Sequence, residues 1–160
     1  SLFGATLDIV SDIFLRSIMW LRLALDLSAR YWTLRFIFVA ICLAVITVEW
    51  CTCVASQVTV AYTGTHWKDA TKKPVALGFT PNHSPLVQRI FANGFKSPLG
   101  VLAVIGLYGT PLVGISILEG TNYPPALRDF SLPLLAICLT GRGVALVAEC
   151  SVIHNWIKLV

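Results

Sequence analysis

The sequence predicts an all-α integral membrane protein formed by a single domain, residues 1–160. Hydrophobic residues make up 56% of the chain and charged residues only 12%, far from the averages of soluble domains. Long segments have almost no charge, and the charged residues among the first thirty positions recur with a helical period. We therefore expect an interfacial amphipathic helix followed by about three membrane helices, surrounded by lipids.

Residues 2–30 form the predicted amphipathic helix. At 100° per residue its charges fall on one arc of about 120°; they are Asp8, Asp12, Arg16, Arg22, Asp26 and Arg30. The wide apolar face predicts a helix that lies in the membrane interface or docks against other membrane helices. Asp12 and Arg16 are four residues apart, the spacing of a helical ion pair. The same spacing pairs Asp26 with Arg30.

Residues 33–62 are the clearest membrane helix. They are long enough to cross a hydrocarbon layer of about 30 Å, even when tilted. Glu49 lies near the middle and is the only charge of residues 36–62. An ionisable group at that depth is costly, so Glu49 is a candidate functional residue. The alternative is a Glu that a partner satisfies in a helix interface.

Residues 63–84 are predicted to be an aqueous loop, since they contain prolines, glycines and charges. Ser84 is a good N-cap and Pro85 a good first residue for the next helix. That membrane helix is predicted over residues 85–118, with Pro98 and Pro111 as the expected sites of a break or kink.

Residues 130–158 are the last predicted membrane helix, and they contain Arg142, Glu149 and His154. Arg142 and Glu149 are seven residues apart and so share a helical face. Charges inside a membrane helix usually face the protein interior or a water pathway. The spacing leaves open whether these two side chains pair with each other or with a neighbouring chain.

The composition argues against several classes of protein. The basic residues form no dense cluster, which argues against a nucleic-acid partner. The five cysteines lie in apolar stretches and have no metal-ligand spacing to the three histidines, so we expect no metal site. No nucleotide-binding or hydrolase motif is present. We expect no cofactor, and the sequence indicates no active site within this chain alone.

The intramembrane ionisable groups are the chemistry that the sequence does offer. Carboxylates and histidines at bilayer depth can exchange protons, which makes Glu49, Glu149 and His154 candidates for a proton path. An Arg keeps its proton, so Arg142 would act there as a fixed positive charge.

The stretch "RIFAN", residues 89–93, resembles the Arg-Leu-Phe-Ala-Asn signature of subunit a of F-type ATP synthases. The last segment, "LTGRGVALVAECSVIHNWIKLV", is similar to that family's final helix. The resemblance implies that Arg89 is a fixed barrier charge facing a ring of proton-carrying helices, with Asn93 one helical turn further on. It also implies a multisubunit complex, most readily in the mitochondrial inner membrane. The sequence departs from the family after Asn93, where "GFKSPLG" follows.

Two other interpretations remain open. The chain could be a non-catalytic supernumerary subunit of a respiratory or other energy-transducing complex, whose membrane charges pair with partner subunits. Arg89 and Asn93 also resemble the Arg-x-x-x-Asn pair of small membrane glutathione transferases, in which the Arg binds the carboxylates of the thiol cofactor.

Overall fold

The computed structural model describes residues 2–63, 84–120 and 125–159. These residues form five α-helices, which confirms the all-α prediction for this part of the chain. The predicted aqueous loop, residues 63–84, lies outside the described residues except at its two ends. The helices are α1 (Leu2–Arg30), α2 (Arg35–Thr63), α3 (Pro85–Phe91), α4 (Pro98–Glu119) and α5 (Pro125–Leu159).

Three of these helices are long and apolar enough to cross a membrane: Trp32–Ala61, Pro98–Glu119 and Asp129–Lys158. Their outward surfaces are apolar, and the rings of Phe36 and Phe130 are each 72% exposed. Several charged side chains are instead buried inside the bundle. Apolar residues outside and charges inside are typical of a helical bundle in lipid. These are the features of an integral membrane protein.

The four long helices form a square in which each helix packs on two neighbours, in the order α1, α2, α5, α4. Helices α1 and α4 run in one direction, and α2 and α5 run in the other. The short helix α3 packs on α4 and α5. This arrangement leaves a central space that all four long helices face.

Helix α1 lies antiparallel along α2. Thr6 Oγ1 donates to Gln57 Oε1 at 3.1 Å, and further along the pair Trp50 Nε1 donates to Ser17 Oγ at 3.1 Å. A helix in the membrane interface would present its polar face to water. Here Arg16 is buried inside the bundle, whereas Phe14 on the opposite side is 60% exposed. The structure therefore supports the docked placement of this helix and not the interfacial one.

The helical ion pairs predicted within α1 are wrong. Asp26 accepts a hydrogen bond from Arg22 Nε at 2.9 Å, and Arg30 donates instead to a main-chain oxygen of α4. Arg16 points away from the surface and pairs with Glu49 of α2. An exposed pair four residues apart contributes only a few tenths of a kcal/mol, so tertiary partners decide where these long side chains go.

The prediction of one helix over residues 85–118 is also wrong. Helix α3 ends at Phe91, and the backbone then turns through Asn93 (φ 54°), Gly94 (φ 67°) and Phe95 (φ 67°). The left-handed region suits Gly and tolerates Asn, but it is unusual for a bulky residue. Asn93 therefore does not lie one helical turn beyond Arg89.

Two serines explain where α3 and α4 begin. Ser84 Oγ accepts a hydrogen bond from the Val87 amide with Pro85 at the first helical position, which confirms the predicted start of α3. Ser97 Oγ accepts from the Gly100 amide at 3.0 Å. Its hydroxyl also donates to the Arg89 carbonyl oxygen at 2.6 Å, which ties the end of α3 to the start of α4.

Two apolar clusters stabilise opposite ends of the bundle. Trp20, Leu23, Ala24 and Cys42 form one with residues of α4, near the turn between α1 and α2. The other joins α3, α4 and α5 at the far end; its buried members are Val87, Ile90, Phe91, Ala103, Ala145 and Ala148. The buried charges of Arg16, Glu49 and Arg142 lie between the two clusters.

Helices α4 and α5 come into close contact at two glycines. A Cβ atom at Gly106 would collide with the backbone of Gly141 and Arg142, and one at Gly141 would collide with the Leu102 carbonyl oxygen. Small residues allow membrane helices to approach in this way. The crossing also fixes the position of Arg142, since its main chain forms part of the contact.

We expect Gly106→Ala to lower the free energy of unfolding by about 1–3 kcal/mol, the usual cost of overpacking a tight contact. Gly143→Ala is the matched control, because a Cβ atom there has nothing within 4 Å. Unfolding in detergent, followed by circular dichroism, measures both. Equal stability of the two variants would contradict the close crossing.

Candidate functional site: a charged network beside a central cavity

Glu49 is the centre of a charged network inside the bundle. The residue is 2% exposed, and its carboxylate lies between the guanidinium groups of two other helices. Arg16 Nε of α1 donates to Glu49 Oε2 at 2.9 Å. Arg142 Nη2 of α5 lies 3.5 Å from Glu49 Oε1. One carboxylate thus connects α1, α2 and α5 at the middle of the bundle.

The network continues along α5 to a second carboxylate. Arg142 Nη1 donates to Glu149 Oε2 at 2.8 Å, and both residues are buried. The sequence left the partner of Arg142 open, and the structure shows that it pairs within the chain, with Glu149 and with Glu49. Two cations and two anions alternate, so the four side chains have no net formal charge. Such balance is what permits charges in a water-poor interior.

Tyr108 connects this network to α4. Arg16 Nη1 donates to the Tyr108 hydroxyl oxygen at 3.1 Å, and the guanidinium carbon lies 5.1 Å from the centre of the ring. The Tyr108 hydroxyl also interacts with the Asp12 carboxylate, one helical turn before Arg16. All four long helices therefore contribute a polar side chain at one level of the bundle.

A cavity of about 360 Å³ lies next to the network, within the size range of small-molecule sites. Its inner end is formed by Arg16, Glu49 and Tyr108. From there it extends between the helices toward the end of the bundle that α3 covers, where Phe91 and Phe95 line it. Most of the wall is apolar. The cavity thus extends from charged residues near mid-length toward the end of the bundle that α3 covers.

The cavity opens to the surface between α1 and α4. From Asp12 onward α1 contacts α4: Asp12 and Arg16 reach Tyr108, and Leu23 packs against Gly114. Nearer the start of α1, the walls of the cavity are formed by Asp8 and Asp12 of α1 and by Val104 of α4. All three residues are exposed. The opening consequently has a carboxylate-bearing edge and an apolar edge.

Three of the residues predicted from the sequence meet at this site: Glu49, Arg142 and Glu149. The other three do not join them. His154 is exposed near the end of α5, and Arg89 and Asn93 are exposed on α3 and in the turn that follows. None of the three contributes to the wall of the cavity. Among the described residues, no cluster of three or more possible metal ligands is present.

The site also includes four residues that were not predicted from the sequence: Asp8, Asp12, Arg16 and Tyr108. A sequence signal existed for Arg16, because it lies on the polar arc of a helix whose other face is apolar. That polar arc had to face a polar partner, and Glu49 was the one acidic residue of the neighbouring helix. Tyr108 had no such signal, since nothing in an apolar, Gly-rich segment distinguishes one aromatic side chain as a hydrogen-bond partner.

Comparison with known protein families, curated proteins and solved structures gives no match. Arguments about function therefore depend on the geometry of this site.

We expect Glu49→Gln to lower the free energy of unfolding by about 3–5 kcal/mol, because it leaves two buried guanidinium groups without their shared anion. Glu119→Gln is the control, since Glu119 accepts its bond from Arg22 at the exposed surface, where ion pairs contribute little. Denaturant titration in detergent compares the two variants. An equally small effect of both would show that the network does not hold the bundle together.

Proposed function

We propose that this chain is a proton-translocating subunit of a membrane complex, and that Glu149 takes up protons through the central cavity. The observation that carries the proposal is a cavity that opens beside Asp8 and Asp12, in the half of the bundle nearest α3, and reaches charged residues near its middle. Access to a buried carboxylate from one half of the bundle only is what directional proton transfer requires. Buried carboxylates and guanidinium groups at that depth are the usual components of proton relays.

The roles of the two carboxylates differ in this proposal. Glu49 meets guanidinium groups from two helices, so it holds the helices together and closes the inner end of the cavity. Glu149 lines the cavity and pairs with Arg142 alone among the described residues. Because an Arg keeps its proton, Arg16 and Arg142 act as fixed positive charges behind the carboxylate that exchanges protons.

In its narrower form the proposal assigns the chain to the F-type ATP synthases as a divergent subunit a, in the mitochondrial inner membrane. Support comes from the "RIFAN" stretch and from the exposure of Arg89, which leaves this cation accessible to a ring of proton-carrying helices. The position of Asn93 in a turn, rather than on a long helix, departs from that family. The narrower form thus depends on Arg89 more than on its neighbours.

A second candidate is a non-catalytic subunit of an energy-transducing complex. The balanced network favours it, because two arginines and two glutamates that neutralise one another are well suited to holding helices in place. In this case the cavity contributes nothing to proton transfer, and loss of Glu149 affects assembly rather than flux.

The geometry does not favour a glutathione transferase. Arg89 and Asn93, the pair on which that interpretation depends, lie outside the cavity wall. The wall carries more carboxylates than guanidinium groups, and an anionic thiol cofactor would meet repulsion there.

We expect Glu149→Gln to reduce proton flux by about tenfold or more, the effect of about 1.4 kcal/mol on a barrier. Gln still accepts a hydrogen bond from Arg142 but cannot take up a proton. The flux is measured with a pH-sensitive dye in liposomes that contain the purified chain, under an imposed potential. Glu119→Gln removes an equivalent group at the exposed surface and should leave the flux unchanged. Unchanged flux in Glu149→Gln would contradict the proposed role.

The ATP synthase assignment has a separate test. We expect Arg89→Ala to abolish ATP-driven proton pumping in assembled complexes, because the fixed barrier charge is lost. Lys96→Ala is the matched control, an exposed cation seven residues further along the chain. Assembly is checked on a native gel. Pumping that persists in intact complexes of Arg89→Ala excludes this assignment, and loss of the complex itself favours the structural role.

A further inference from the structure

The charges at the opening of the central cavity are unbalanced. The wall includes four carboxylates and the guanidinium group of Arg16. Arg142 pairs with Glu49 and Glu149, so the excess negative charge is that of Asp8 and Asp12. Asp8 and Asp12 stand at the opening, and Glu149 lies further inside. Around them are apolar side chains and the aromatic rings of Phe91, Phe95 and Tyr108. Acidic groups combined with aromatic walls are the chemistry by which proteins recognise organic cations.

Glu49 lies deeper in the wall and is 2% exposed. Its carboxylate is paired with Arg16 and Arg142, and its Oε1 atom has almost no accessible surface. Glu49 therefore closes the inner end of the cavity, and the charge that a ligand can reach is that of the carboxylates at the opening.

The position of the opening indicates the route of access. The outer surfaces of α1 and α4 are apolar, with Phe14 and Ile105 exposed, and the gap between these helices exposes Asp8 and Asp12. A carboxylate beside lipid is costly unless a cation covers it. A molecule with both an apolar body and a positive charge satisfies both edges of the gap.

We propose that the cavity binds an organic cation whose charge is shielded by apolar or aromatic groups, and that it enters between α1 and α4. The walls do not favour an inorganic cation, since they are largely apolar and the described residues contain no cluster of metal ligands. The proposal concerns binding alone and does not depend on proton transfer, so either can fail without the other.

The test uses tetraphenylphosphonium as the probe and tetraphenylborate as an anion of the same shape. Both are titrated calorimetrically into nanodiscs that contain the chain, with empty nanodiscs subtracted to remove partitioning into lipid. We expect saturable binding of one tetraphenylphosphonium per chain and no saturable binding of tetraphenylborate. Equal binding of the two ions, or no saturable binding of the cation, would overturn the proposal.

Variants then locate the site. Asp12→Asn should weaken binding of the cation about tenfold, the effect of losing one close charge. Asp129→Asn should not, because it removes an exposed carboxylate from α5 outside the cavity wall. Val104→Trp should block the opening and abolish binding without a change of charge. Circular dichroism verifies folding. If Asp12→Asn fails to fold, the affinity of the Val104→Trp variant for tetraphenylphosphonium tests the proposal instead. Wild-type affinity in a folded Val104→Trp chain would refute both the route of entry and the site.

Discussion

The bundle depends on the carboxylate of Glu49, which lies between Arg16 and Arg142. Away from water, each of these charges would be costly alone, and mutual pairing is what makes their burial tolerable. Since the three residues belong to α1, α2 and α5, the pairing can form only when the three helices are assembled in one register. Tyr108 extends the same level to α4. Specific assembly is therefore a consequence of where the charges lie, because apolar surfaces in lipid select no particular partner.

The two apolar clusters and the glycine crossing hold this polar level in place. The cluster around Trp20 fixes α1 and α2 near their connecting turn, and the cluster around Ile90 fixes α3 against α4 and α5. At the crossing, Gly106 and Gly141 allow α4 and α5 to approach until Arg142 reaches Glu49. Close packing ends beside the network, where α1 and α4 separate. The cavity and its acidic opening follow from that separation, and both proposals use it.

Much of the fold could be predicted, because it depends on local properties of the chain. Apolar runs gave the first and last membrane helices at about their observed bounds, and Ser84 with Pro85 gave the start of α3. The break after Phe91 was missed, since a helix was assumed to continue through Asn93 and Gly94 up to Pro98. The placement of α1 was left between two alternatives. Its amphipathic period shows which residues are polar, but the period is the same whether that face meets water or the other helices.

The sequence by itself determined the helical fold class, the three apolar membrane segments, and the presence of Glu49, Arg142 and Glu149 within apolar segments. The length of an apolar segment and the period of its polar residues can be read from consecutive residues, so these predictions do not require knowing which helix packs against which. Only the tertiary structure decided which charges meet. Arg16 and Glu49 are separated by 33 residues, and an arginine that could pair with Asp12 on its own helix instead finds a buried carboxylate on the next. Desolvation decides between these partners, and desolvation depends on how the helices pack.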